Sequence, residues 1–158
     1  MQKERRGIAS YHRFRAAVVA GETEAVEIQR LANECGYTLG TDAKSQISAV
    51  AALENVYRRD PTLLERSLVI FREAWQDKYM PSGAMLRGMG YFLERNEDCD
   101  DEKLARRLSV VSPTEMNKRA SALKEGMGHG GTQDRYMAGA IEGIYKTRFK
   151  PGQQKGTA

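Results

Sequence analysis

The stretch from Asp60 to Trp75, DPTLLERSLVIFREAW, carries more apolar surface than one face of a helix can hide. Leu64, Leu68, Phe71 and Trp75 fall three or four residues apart and make one stripe, and Leu63, Ile70 and Ala74 widen it. A helix with adjoining apolar stripes is buried on more than one side, so other elements must wrap it. Asp60 reads as its cap, and Pro61 as its first residue, where a missing N–H breaks no bond. The segment 61–76 is therefore expected to be the central helix of the fold.

The wrapping elements read as helices too. Tyr11, Phe14, Val18 and Val19 precede a stop at Gly21, and Val26, Ile28, Leu31 and Ala32 precede one at Gly36. A third segment holds Ile47, Val50, Leu53, Val56 and Tyr57. Ser82 caps a fifth helix with Met85, Leu86, Met89, Phe92 and Leu93 inward; Gly88 and Gly90 inside it suit close approach of a neighbour. A short sixth helix, DDEKLARRL, has acid at its start and base at its end, as the helix dipole prefers. SPTE at 112–115 is a capping box that opens the seventh, through Met116, Ala120 and Leu123. Thr132 caps an eighth with Met137, Ala140, Ile141, Ile144 and Tyr145 apolar. Strict strand alternation is absent, so the fold class is all-α: a single compact domain of about eight helices over 1–149, with 150–158 as a flexible tail. A length of 158 with 41% hydrophobic and 29% charged residues suits one globular domain rather than a disordered chain.

Charge is distributed unevenly. Residues 1–15 carry five basic and one acidic side chain, 81–102 two basic and six acidic, and 103–125 six basic and two acidic. Basic ends suit a polyanion such as DNA. Lys3, Arg5, Arg6, Arg13 and Arg15 are candidate phosphate contacts. Lys44, Ser45 and Gln46, placed at the start of the third helix, are candidates near bases. The pair of helices around them is at best a degenerate helix-turn-helix, because GYTLGTDAKSQ is too long for the usual tight turn. The acidic middle offers a second reading: Glu94, Glu97, Asp98, Asp100, Asp101 and Glu102 as a phosphate-like surface for a protein partner.

Catalytic patterns are not found. His12 lies among basic neighbours on an amphipathic helix, and His129 lies between glycines with no orienting partner. Cys35 and Cys99 are isolated thiols in no CxxC pair. EDCDDE at 97–102 lacks the spaced ligands and turn glycine of an EF-hand, and GMGHGGTQ lacks the Lys and the preceding strand of a P-loop. No enzyme activity, cofactor or metal is expected. No apolar run approaches the ~20 residues of a membrane span, and no signal-peptide core follows the basic start, so a cytoplasmic protein without membrane contact is expected.

The order of motifs resembles the helical C-terminal half of ParB-like proteins of actinobacteria and their phages. The similarity runs through QKERRGI, YHRFRAAVVAGETEAVEI, ISAVAALENVYRRDPTLLERSLVIFREAW, MLRGMGYFL, RLSVVSPTEMNKRA and AIEGIYKTR, with Lys146 where the family often has Asn. In that family an α/β ParB/sulfiredoxin-like domain precedes this half and carries the nucleotide-binding or nuclease chemistry. The resemblance thus implies a chain that begins partway through such a protein, with no phosphate-binding arginine motif of that domain and no activity to transfer. It implies a DNA-binding accessory domain, or alternatively a phage-type inhibitor that binds a host nucleic-acid machine.

Overall fold

The computed structural model describes residues 2–126 and 132–147, with the backbone alone for 2–7. Among the described residues the fold is all-α, a compact single domain. Its helices are α1 (Gln2–Val19), α2 (Thr23–Glu34), α3 (Val50–Arg59), α4 (Pro61–Trp75), α5 (Gly83–Arg95), α6 (Asp101–Leu108), α7 (Pro113–Gly126) and α8 (Gln133–Lys146). His129 and the expected tail 150–158 lie outside the described residues.

Local chemistry sets most helix starts. The Asp60 carboxylate accepts from the Thr62 N–H at 2.9 Å and the Thr62 hydroxyl at 2.7 Å, and these bonds hold its pKa below the ordinary carboxylate value. Ser82 Oγ accepts from the Met85 N–H at 3.4 Å, and Ser112 Oγ from the Glu115 N–H at 3.1 Å. Thr132 occupies the cap position of α8, but its side chain makes no capping bond; its carbonyl accepts from the Arg135 and Tyr136 N–H groups instead. After α2 the chain turns through Gly36 at φ 93°, a left-handed conformation that a glycine adopts without strain, and Tyr37 then enters the core.

The third segment departs from its sequence reading. Helix α3 begins at Val50, so Lys44, Ser45 and Gln46 do not open a helix. Asp42 governs this stretch: its carboxylate accepts from the Lys44 N–H at 3.1 Å and the Ser45 hydroxyl at 2.8 Å, while Gln46 Oε1 accepts from the Asp42 N–H at 3.1 Å. A short polar side chain bonding the backbone two residues on competes with helix formation and makes a turn. Ile47, expected within that helix, is instead buried beyond the turn, paired with Leu39 in an isolated parallel bridge.

Helix α4 is wrapped as its two stripes require. Leu63, Leu64, Leu68, Ile70, Phe71, Ala74 and Trp75 are all buried, in contact with α2, α3, α5 and α6. Ser67 is buried among them and donates its hydroxyl to the Leu63 carbonyl at 2.7 Å. A second seam runs between α5 and α8, and α7 packs on α8 alone. Gly88 makes the α5–α8 seam possible: a Cβ there would lie 2.7 Å from Met137 Cγ and 3.3 Å from the Ala138 backbone nitrogen. Helix α1 touches only α2 and α3, and Phe14 is its buried anchor.

Two stability measurements follow from this packing. Trp75 is 3% exposed, and its ring lies against Phe71 at 5.3 Å and Tyr79 at 5.9 Å. Truncating a buried aromatic removes ~3–5 kcal/mol from a domain total of ~5–15 kcal/mol. Trp75→Ala is expected to leave the protein largely unfolded or markedly heat-labile in circular dichroism melts; a midpoint within about two degrees of the parent would contradict the wrapping of α4. Gly88→Ala and Gly143→Ala should move stability in opposite directions. The first forces atoms into Met137 and is expected to destabilise by ~1–3 kcal/mol. The second meets nothing within 4 Å and is expected to stabilise α8 by about 0.5–1 kcal/mol, both read from urea titrations.

Candidate nucleic-acid interface

The basic candidates divide by their place on α1. At about 100° per residue, Arg13 and Arg15 fall to either side of the buried Phe14 and so flank the helix's outward face. Both are exposed, and neither has a carboxylate partner among the described residues. The backbone register places Arg6 within about 20° of Arg13, Lys3 within about 20° of Phe14, and Arg5 opposite Phe14. The side chains of Lys3, Arg5 and Arg6 lie outside the described residues.

The outward face carries small and exposed residues: Ile8, Ala9, His12 and Ala16. Sequence reasoning had not singled out this face, although the small residues at 9 and 16 opposite Phe14 were the available signal. Arg15 shares a shallow groove with Tyr11, Val18 and Leu39. Leu39 pairs with Ile47 across the turn that carries Lys44, and Arg13 falls on the other side of α1 from this groove. Lys44 is exposed and free of ion pairs among the described residues. Ser45 and Gln46 are not available in the same way, because their side chains hold the Asp42 turn closed.

Much of the acidic middle is spent inside the fold. Glu94 pairs with Arg59 at 2.8 Å, joining α5 to α3. Asp101 takes both nitrogens of the Arg66 fork, at 2.7 and 3.0 Å, joining α6 to α4. Asp100 caps α6 by accepting from the Lys103 N–H at 3.1 Å, and its own N–H donates to the Tyr145 hydroxyl at 2.9 Å. Glu97, Asp98 and Glu102 remain exposed without an ion pair among the described residues. The six carboxylates are therefore not one free surface.

Neither thiol is activated. Burial pushes the Cys35 pKa up, with Glu65 and Glu34 adding to it. Burial also pushes Cys99 up to about 11, with the Asp101 charge acting in the same direction. Among the described residues no group of three or more His, Cys, Asp or Glu is placed to hold a metal ion, and no helix is long and apolar enough to cross a membrane. No protein-family model, curated protein or solved structure matches this chain.

The thiol chemistry is directly measurable. At pH 8 an ordinary cysteine is roughly a quarter thiolate, whereas a thiol at about 11 is roughly a thousandth ionised. Alkylation of Cys99 by iodoacetamide at pH 8 is expected to run roughly a hundredfold slower than that of a free cysteine, and to accelerate through pH 10 and 11. Quantitative mass spectrometry of the labelled peptide reads the rate. Labelling at the free-cysteine rate would show that Cys99 is not held in this environment.

Proposed function

We propose that this chain is a non-catalytic DNA-binding module in which α1 lies in the major groove. The observation that carries the reading is the pair Arg13 and Arg15, exposed, without carboxylate partners among the described residues, and placed on the two flanks of one helix. A helix of ~10–12 Å diameter fits a major groove ~12 Å wide, and cations on its flanks then face the phosphates of the two strands. Arg6 extends the Arg13 flank by register, and the exposed Lys44 is a further cation outside α1. Ala9 and Ala16 keep the outward face low enough to approach base edges, with His12 and Arg5 on the same side. The resemblance to the helical half of ParB-like proteins supports the same reading. The alternative, an inhibitor that presents a phosphate-like acidic surface to a protein, draws less support, because Glu94, Asp100 and Asp101 are engaged within the fold.

Fluorescence anisotropy with a labelled duplex across a salt series tests the proposal. Each neutralised phosphate contributes about −0.9 to the slope of log K against log salt, so five contacts give about −4.5. Arg13→Ala and Arg15→Ala are each expected to flatten the slope by about 0.9, and the double variant by about 1.8, with unchanged melting temperatures. Absence of binding to any duplex at ~50 mM salt, or slopes unaltered in both variants, would overturn it.

A further inference from the structure

A cleft of about 300 Å³ lies between α5 and α8. That volume holds about ten waters at ~30 Å³ each and stands at the lower end of small-ligand sites. Its wall is largely apolar, with Tyr91, Phe92 and Ala138, and its polar lining is rich in donors. Arg135 is exposed in the first turn of α8 with no ion-pair partner among the described residues. Arg95 sits over the Tyr91 ring at 5.1 Å and donates to its hydroxyl, again without a carboxylate. Glu97 and Asp98 border a neighbouring hollow that shares Arg95, yet neither forms an ion pair with it. The carboxylate in the lining, Glu142, is already neutralised by Lys146 at 2.8 Å.

Tyr136 also borders the cleft, but its hydroxyl is fully buried, without a hydrogen-bond partner among the described residues, and does not open onto it. We infer that the α5–α8 cleft binds a small organic phosphate monoester, with Arg95 and Arg135 on the phosphate. A phosphate dianion matches two uncompensated guanidiniums in charge, and it offers the acceptor oxygens that their planar forks bind in bidentate fashion. The apolar wall and the volume favour an organic body on the phosphate over the bare ion.

Phenyl phosphate is a suitable probe, titrated into isotopically labelled full-length protein and followed by amide chemical shifts. Saturable shifts confined to α5 and α8 are expected, with phenol and inorganic phosphate each binding at least tenfold more weakly. Arg135→Ala is expected to weaken phenyl phosphate at least tenfold. Arg15→Ala should leave this binding unchanged, so the result stands apart from the DNA reading of α1. The inference fails if no shifts saturate at millimolar phenyl phosphate, if phenol or inorganic phosphate binds as tightly, or if Arg135→Ala binds like the parent.

Discussion

The indole of Trp75 ties the two halves of the bundle together. Its Nε1–H donates to the Leu108 carbonyl at 3.1 Å and to the Val111 carbonyl at 2.9 Å. Leu108 is the last residue of α6, and Val111 lies in the turn that leads into α7. The final carbonyls of a helix have no partner within it, and burying them unpaired is unfavourable. One ring thus fills the space between α4 and α6 and satisfies the helix end that it covers. The chain's exit toward α7 is fixed at the same point, and α7 follows from there onto α8, which packs on α5. A Phe at 75 would keep most of the packing and lose the donor, so the indole is required twice over.

Features set by neighbours in sequence were readable in advance. Asp60, Ser82 and Ser112 cap their helices because a capping bond spans only two or three residues, and nothing distant competes for it. The two stripes of α4 were readable because helical period and residue size alone decide them. Lys44, Ser45 and Gln46 lie in a turn although the competing signal is also local: Asp42, after Gly40, offers a side-chain acceptor to the Lys44 N–H and the Ser45 hydroxyl. Helical spacing from Ile47 onward was extended backward over a turn that Asp42 had already claimed. The outward face of α1 was less legible, since it is defined only by what Phe14 turns away from the core.

Counting charge along the chain cannot show which charges cancel across it. The block at 81–102 reads as strongly acidic, yet Arg59 comes from α3 to Glu94 and Arg66 from α4 to Asp101. Arg58 reaches Glu24 on α2, and Arg87 reaches Asp134 on α8. Such half-exposed pairs add little stability each, about 0–1 kcal/mol. Their larger effect is on what remains. Pairing across the helix seams consumes carboxylates and arginines together, and the cations left over set what each helix presents to solvent. Among the described residues α1 borders only α2 and α3, and α7 borders only α8. On α7 the exposed Lys118 and Arg119 lie about 100° apart around the helix, so α7 presents no single basic stripe.

The sparse anchoring of α1 also bears on what it can recognise. A helix held mainly by Phe14, with Tyr11, Ala17 and Val18 packed beside it, buries little and leaves most of its circumference to solvent. Ile8 at 44% and Val19 at 78% exposure are single apolar side chains of a kind ordinary on a protein surface. In a major groove the same two side chains acquire a role. Both lie within about 60° of the direction opposite Phe14, Ile8 toward the middle of the helix and Val19 at its C-terminal end. Thymine methyl groups are the apolar feature of that groove, and apolar side chains read them. Arginines on the flanks supply affinity without regard to sequence, so under the proposed reading any preference among sequences comes from this outward row, and it favours A·T pairs opposite Ile8 and Val19.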